Sequence, residues 1–405
     1  MTADGAILVI NSGSSSIKFA MFDLTSGEPS RIWQGALERI GFDVGRFVVQ
    51  NLQGIVLNDR ALKISDHAAA LALLLDWVED FLPSDNIIGV GHRVVHGGPE
   101  CGCSLIVTSE LEAKLTQIIP LAPLHLPHNL AGIAAVHFRR PDLPQVACFD
   151  TAFHHNLPRV AQLTGLARRF QKDGIRRYGF HGLSYEYIIE DIRLRDGDAS
   201  ANGRIIIAHL GNGASMAAIK DGCSVETSMG FSTLAGLPMG TRPGDLDPGV
   251  LLYLLIEKKV SPEQIQHVLY KESGLLGLSD LSRNMAELLT HQAVPEVAEA
   301  IDYFCHHARR HLAGLTAPLG GVDRLVFTGG IGANSPEIRR RICDGLDYLG
   351  LTLNPERNTN QSERISADNG SVLIEAITTD EEIVIARHSR NLLVEYSDTK
   401  VRTNA

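Results

Sequence analysis

Several common classes of protein are closed off by what this chain lacks. Its 405 residues contain six cysteines, Cys101, Cys103, Cys148, Cys223, Cys305 and Cys343, and no C-x-x-C pair. That spacing gives no zinc site and no redox dithiol, and leaves the reduced thiols of a cytosolic protein. No basic stretch leads into a signal-length apolar core, and no apolar run approaches the roughly 20 residues that span a bilayer. A cytoplasmic location without membrane contact is the expectation. Basic residues are the minority, with Lys and Arg at 37, Asp and Glu at 47 and a formal charge of −10. A nucleic-acid partner would want a basic face, so none is expected. Walker A spacing is absent, and no G-x-G-x-x-G stands in a Rossmann context. Small anionic substrates stay open, because an arginine cluster can sit inside an acidic protein.

Strand and helix patterns alternate along the chain, which reads as α/β, and the length suggests two domains. ILVI, KFAMFD, RFVVQ and IIGVGHRVVH read as strands, and HAAALALLLDWVEDFL as a helix. QVACFD reads as a buried strand ending in Asp150, and RIIIAHL opens a second strand set. The stretch ILVINSGSSSIKFAMFDLTSG is matched in form by RIIIAHLGNGASMAAIKDG: apolar strand, small-residue turn, second strand, polar turn. A third stretch, RLVFTGGIGANSPEIRRRICDGL, starts alike but leaves its glycines into a helix. There Ser335 is suited to the N-cap, Pro336 to the first helical position and Glu337 to the helix dipole. No low-complexity linker intervenes, so the boundary near residue 150 rests on the repeat.

The three glycine turns point to phosphate. A phosphate close to a backbone needs Cβ atoms out of the way and N–H groups turned inward, and hydroxyls add donors at little volume. Gly13 is read as permitting the first turn, with Asn11, Ser12, Ser14 and Ser15 as donors. Gly211 and Gly213 flank Asn212 in the second turn. Gly329, Gly330 and Gly332 lead into a helix start in the third, suited to anions or ribose oxygens.

In order along the chain come INSGSSSIKF, GHRVVHGG, APLHLPHN, FDTAFH, RRYGFHGLS, HLGNGAS, ETSMGFSTLAGLPMGTRPGDLDPG, FTGGIG and TTDEEIVIA. Together they closely resemble the acetate kinase family, of the acetate and sugar kinase, Hsp70 and actin superfamily. The resemblance runs from about residue 6 to residue 395. It implies two duplicated actin-like (ribonuclease H-like) α/β domains with an active-site cleft between them. Residues 1–150 would form the first, with 385–405 returning to it, and residues 151–384 the nucleotide-binding second. It also implies homodimers, to which the HHARRHLAGLTAPL region could contribute, and cleft closure on nucleotide.

The implied reaction is reversible, direct in-line phosphoryl transfer from ATP to acetate, giving acetyl phosphate and ADP, with Mg²⁺ (Mn²⁺ the alternative). Arginine grips carboxylate or phosphoryl oxygens with two parallel hydrogen bonds, and Arg93 and Arg242 fall on the family's positions. By the same resemblance Asp150 positions the metal's water shell or the substrate. Acetate arrives ionised, so a direct general-base role is less attractive. Asn11 and Glu381 match the magnesium positions, Glu381 being preferred to Glu382 on alignment alone. His125, His181 and His209 match family histidines, with His181 the catalytic one. Val95, Leu124, Phe180 and a residue near Thr233 would line the acyl pocket. Lys18, His209, Leu210, Gly211, Asn212, Gly213, Asn284, Met285, Gly329, Gly330, Ile331 and Gly332 would contact nucleotide.

Departures from the pattern gather on the adenosine side. Asn284, Met285 and Ala286 replace Asp-Phe-Arg or Asp-Met-Arg, removing a cationic donor, and Ala333 replaces a glutamate. Tyr185 replaces a histidine, Pro243 a serine, and Thr233 a proline of many relatives. Weaker ATP affinity, with GTP and ITP accepted, is the expectation, and a non-nucleotide donor such as pyrophosphate is a minor alternative. The rivals are a propionate or butyrate kinase with the same machinery, and an Hsp70- or actin-like ATPase. The latter would need no arginine pair and would carry an added partner-binding segment, for which no room is expected here.

Overall fold

Uninterrupted aliphatic runs form the middle strands of two sheets in the computed structural model, which describes residues 5–13, 15–81 and 86–403, with side chains to residue 396. The chain divides into two compact units, Met1–His155 with Asp380–Ala405, and Asn156–Thr379.

In the first unit β1 (Ala6–Ser12), β2 (Ser16–Asp23), β3 (Ser30–Glu38), β4 (Gly45–Asn51), β5 (Val56–Leu62), β6 (Ile87–Val94), β7 (Leu105–Ile106) and β8 (Gln145–Phe149) form one sheet. Its order is β5-β4-β3-β2-β1-β6-β8-β7. All seven residues of β1 are buried. A strand covered on both faces has no polar alternation to show, which is why AILVI reads as a continuous run. The strands β3 and β5 go beyond the sequence reading: β3 carries Gly35 and a mixed pattern, and β5 buries none of its residues. Phe19, Trp33, Phe47 and Trp77 pack edge to face beneath the antiparallel half, with ring centroids 4.9 to 6.3 Å apart.

The second unit holds β9 (Ile205–Leu210), β10 (Ala214–Lys220), β11 (Cys223–Thr227), β12 (Arg324–Thr328) and β13 (Leu373–Ala376), in the order β11-β10-β9-β12-β13. Two antiparallel joins are followed by two parallel ones. The run β3-β2-β1-β6-β8 of the first unit has the same order and directions. The hairpin repeat seen in the sequence is therefore a repeat of the whole five-strand plan.

The C-terminal helix, Glu381–Thr403, packs on the first sheet at the two glycines of β6. A Cβ at Gly89 would stand 2.4 Å from Leu393 Cδ1, and one at Gly91 2.4 Å from Ser389 Oγ and 2.6 Å from Ile385 Cγ2. Only a bare backbone lets the helix approach so closely. Its start is fixed by Asp380, which accepts from Ile383 N and pairs with Arg31 on β3. Asp380 to Val384 thus belong with the first unit, whereas the expected boundary lay after residue 384. Substituting Gly91→Ala is expected to cost about 1–3 kcal/mol in urea unfolding, from overpacking. Faster proteolysis within the helix should accompany it, and an unchanged midpoint would show that the contact is slack.

Candidate active site

Each unit presents its own set of polar side chains. In the first they gather at the carboxyl ends of β1, β6 and β8. Arg93 is two residues beyond Gly91 on β6, and Asp150 directly follows β8. Arg93 donates from Nε to Asp150 Oδ1 at 2.9 Å and from Nη2 to Oδ2 at 2.6 Å. Its remaining nitrogen, Nη1, donates to Asn11 Oδ1 at 3.1 Å. The Asp150 side chain is 2 % exposed and that of Arg93 18 %. Burial works against the guanidinium charge, but Asp150, Glu381 and Glu382 outweigh it and hold the pKa above its ordinary value.

Glu381 Oε2 lies 3.8 Å from Arg93 Nε. Its neighbour Glu382 turns instead toward Lys18, Gln34 and Gln50, with which it lines a hollow of about 280 Å³ on the sheet face. Burial, and then the like charges of Glu381 and Asp380, push the Glu382 carboxyl above the usual range. Successive helical residues are turned about 100° apart, so only one of the two glutamates can face Arg93. Asn11 and Glu381 therefore offer an amide and a carboxylate oxygen near one arginine. Among the described residues no group of three or more His, Cys, Asp or Glu could hold a metal alone. Two hard oxygen donors fit magnesium, which keeps waters and phosphate oxygens for its other positions.

The first glycine closes a tight turn, the role read for Gly13. Gly13 N–H donates to Ser16 O at 2.8 Å, closing the hairpin, so it is not turned toward a ligand. Gly211 N–H is spent likewise on Gly213 O. A tight hairpin needs these bonds to end its ladder, and the donor goes there first. Ser14 lies outside the described residues. Asn129 in APLHLPHN, which the motifs did not single out, ties this end of the unit together: Oδ1 accepts from Val95 N and Nδ2 donates to Ser12 O. Val95 is buried and Leu124 half-buried, and His125 stands at the start of helix Leu126–Arg139.

In the second unit His181 precedes helix Gly182–Asp196 with φ of 58°, a left-handed backbone that a non-glycine residue adopts only when its surroundings impose it. Its Nδ1 is 2.8 Å from Ser215 Oγ, and its ring stacks on His209 with centroids 4.2 Å apart. His209 Nδ1 is 2.8 Å from Ser184 Oγ. Arg242 donates from Nη1 to Thr233 O at 2.7 Å and, among the described residues, pairs with no carboxylate. Burial lowers its pKa to about 10, with Tyr270 pulling the other way. Gly213 explains its own identity: a Cβ there would stand 2.9 Å from Arg242 Nη2 and 3.3 Å from His181 Nε2. Both nitrogens thus lie over the same glycine, and a side chain there would crowd them. Phe180 and Thr233 are buried nearby in sequence on either side of this set.

A cavity of about 700 Å³ in the same unit is lined by Gly211, Asn212, Asn284, Met285, Gly330 and Ile331, all expected at nucleotide. His209, Leu210, Gly213, Gly329 and Gly332 are outside its lining. Leu210 faces the core, and Gly329 is spent on packing, a Cβ there falling 2.6 Å from Leu210 O. Lys18 lies in the first unit. The lining adds Ala286 and the helix-start residues Ser335, Pro336 and Glu337, together with Arg283, Leu289 and Asn334, which the motifs did not single out. Arg283 is the notable addition, since Ala286 had suggested that this wall carries no cation.

The GGIGAN segment is itself a short helix, Gly329–Asn334, so the glycines do not merely lead into one. The next helix, Pro336–Cys343, is capped as read, Ser335 Oγ accepting from Ile338 N at 3.4 Å. Arg339 lies fully buried beneath and donates from Nη1 to Gly332 O and Ala333 O, and from Nε and Nη2 to Asn358. Burial draws its pKa down to about 10. It binds the carbonyl end of the short helix, a role that only contacts reveal.

Two sheets of one duplicated five-strand plan define a protein of the duplicated, actin-like α/β class. The acetokinase family model matches residues 6–387, and the chain belongs to that family. It is 48% identical over 388 residues to an acetate kinase of Rhodopseudomonas palustris, covering 94% of this chain and 97% of the relative. With an acetate kinase of Methylocella silvestris it shares 46% identity over 398 residues, covering 96% and 98%. Among solved structures, Porphyromonas gingivalis acetate kinase matches with TM-score 0.85 at 33% identity, covering 96% of this chain and 100% of the other. A propionate kinase from Francisella tularensis matches with TM-score 0.88 at 34% identity and the same coverage. The protein is thus a kinase whose phosphoryl acceptor is a carboxylate. No helix among the described residues is long and apolar enough to cross a membrane.

Proposed function

We propose that this enzyme transfers the γ-phosphoryl group of ATP to acetate, giving acetyl phosphate and ADP, and also runs in reverse. The observation that carries the reading is Arg242, a half-buried guanidinium without a carboxylate partner among the described residues, lying with His181 Nε2 close over Gly213. A cation so placed is suited to an anion that comes and goes.

An acetate oxygen attacks the γ-phosphorus in line with the bridging oxygen. The new P–O bond forms as the old one breaks, and its electron pair leaves on ADP. No proton has to be removed from the acid. Charge gathers on the three equatorial oxygens, where Arg242 and the Nε2–H of His181 donate. Arg93 receives the carboxylate, and Asp150, with both oxygens on Arg93, is a positioning residue that acts through it. Asn11 and Glu381 would hold Mg²⁺, which when bound neutralises phosphate charge. The adenosine moiety occupies the cavity walled by Met285, Ile331 and Leu289, with Asn212 and Asn284 as polar contacts. Val95 and Leu124, buried and half-buried in the first unit, are suited to pack on the methyl group.

Propionate is the second acid to consider, because a propionate kinase is among the structural neighbours. One extra methylene changes selectivity by only about 1–3 kcal/mol. Hydroxamate trapping of acyl phosphate, with acetate, propionate and butyrate against ATP, GTP, ITP and pyrophosphate, tests the reading. Acetate with ATP should be fastest. GTP and ITP should fall within about a hundredfold of ATP, since a mostly apolar slot discriminates bases weakly. No acyl phosphate from any acid with any donor would overturn the reading, and ATP turnover without any acid would point to the chaperone or filament class.

We also propose a homodimer, formed through helix Pro248–Ile256. Its sequence, PGVLLYLLI, buries none of its nine residues. Val250, Leu252, Tyr253, Leu255 and Ile256 are all exposed. Such a patch marks an association site, and a second copy meeting it isologously satisfies both chains. The HHARRHLAGLTAPL region lies instead within helix Pro295–Leu319, whose Ala308, Leu312, Leu315 and Leu319 are buried inside the unit. Sedimentation velocity should give twice the 44.0 kDa chain mass, and Leu252→Arg should give monomer. A monomeric wild type would refute the assignment. All six cysteines are free, in keeping with a cytoplasmic enzyme.

A further inference from the structure

Behind His181 lies a chain of hydroxyls. Ser215, the last residue of HLGNGAS, is fully buried on β10, and its Oγ lies 2.8 Å from His181 Nδ1. On the other side the same Oγ meets the Tyr185 hydroxyl in a short hydrogen bond. Tyr185 is one helical turn beyond His181 and completely buried, at the position where the family pattern has histidine.

We infer that Tyr185 and Ser215 form a relay that fixes His181 as the neutral tautomer protonated at Nε2. The Tyr185 hydroxyl donates to Ser215 Oγ, Ser215 donates to His181 Nδ1, and the ring proton is left on Nε2. This deepens the proposed function and rests on its placing of His181 beside the transferring group.

Three observations favour this direction. First, Nε2 and Arg242 Nη2 both lie close over Gly213, near enough to each other for one anion to reach both, and it can take both only if Nε2 carries hydrogen. Second, the stacked partner repeats the arrangement, His209 Nδ1 also lying 2.8 Å from a serine hydroxyl, that of Ser184. Two imidazoles face to face beside a guanidinium are disfavoured as cations, and serines donating to both Nδ1 atoms keep both rings neutral. Third, a phenol is a stronger acid than an aliphatic alcohol and hence the better donor of the pair. Burial raises its pKa against the opposing pull of the Ser215 hydrogen bond, so its proton stays on throughout the working range. Ser215 and Tyr185 touch no reacting atom and are positioning residues.

The test uses the full-length enzyme with ¹⁵N-labelled histidine, reading the His181 tautomer by NMR in wild type, Tyr185→Phe and Tyr185→His, with steady-state kinetics alongside. His181→Ala assigns the signal. Wild type should show hydrogen on Nε2. Tyr185→Phe, which keeps the ring and loses the hydroxyl, should shift His181 toward a tautomer mixture. It should lower kcat about 10-fold with the KM values of ATP and acetate little changed. Tyr185→His, which restores a ring N–H donor, should recover most of that loss. A wild-type ring protonated at Nδ1 would overturn the inference, as would a Tyr185→Phe enzyme unchanged in tautomer and kcat. Should Tyr185→Phe fail to fold, Ser215→Ala carries the same comparison. Both failures are distinct from that of the proposed function, in which wild type would make no acyl phosphate whatever its tautomer.

Discussion

Arg242→Ala is expected to lower kcat/KM by about 10³–10⁵-fold while leaving the fold as stable as before, to within about 1 kcal/mol. The kinetic figure follows from what a single arginine supplies to a phosphoryl transition state, where charge spreads over three oxygens in a site with little water. Stability is spared because Arg242 has one protein acceptor, Thr233 O, and no carboxylate among the described residues. Removing it strands no buried anion, and it relieves the desolvation that pulls its pKa to about 10. At that value the guanidinium is still charged at neutral pH, so the lost interaction is a full cation. Acyl phosphate rates and urea unfolding of the same preparation measure both halves. Activity within tenfold of wild type would remove Arg242 from the transition state, and a large loss of stability would make it a structural residue.

Arg93→Ala should behave in the opposite manner, losing activity and fold together. Asp150 is 2 % exposed and takes two hydrogen bonds from Arg93, at 2.9 and 2.6 Å. Without the guanidinium its carboxylate stays buried and loses both of these charge-assisted hydrogen bonds, which costs about 3–5 kcal/mol. The linkage gives a second signature. Arg93 favours the ionised carboxylate in the wild type, so the pair's contribution is present at neutral pH and is lost in acid, where Asp150 takes up a proton. In Arg93→Ala the carboxyl prefers its proton, and the deficit against wild type should shrink in acid. The double variant Arg93→Ala/Asp150→Asn carries no stranded charge and should regain much of the stability, with no return of activity. A single variant as stable as wild type would mean that water satisfies Asp150 and that the pair holds nothing in place.

These contrasting outcomes come from arginines that look alike in sequence. Both stand in glycine-flanked motifs, GHRVVHGG and MGTRPGD. Residue type and spacing mark each as an anion binder, and the family pattern supports both. Neither property says that Arg93 is already committed to a carboxylate 57 residues away while Arg242 is not.

What the sequence by itself determined is local or repeated. Continuous apolar runs located β1, β9 and β12, because a strand covered on both faces shows no alternation. The Ser335-Pro336-Glu337 cap is chemistry within a single turn and was legible as such. The duplicated hairpin revealed the duplicated sheet, since each copy must bury the same pattern. Long motifs in order carried the family. Tertiary structure alone decided matters that depend on direction and on distant partners. It spent the Gly13 and Gly211 N–H groups on closing their hairpins. It turned Glu381 to Arg93 and Glu382 to Lys18, a choice made by helical rotation between neighbours. It put Arg283 on the cavity wall where Ala286 had removed a cation, and buried Arg339 under the glycine helix to hold its carbonyls. In each case the side chain's partner lies outside its own turn or strand, and no pattern along the chain records which groups folding will bring within hydrogen-bonding distance.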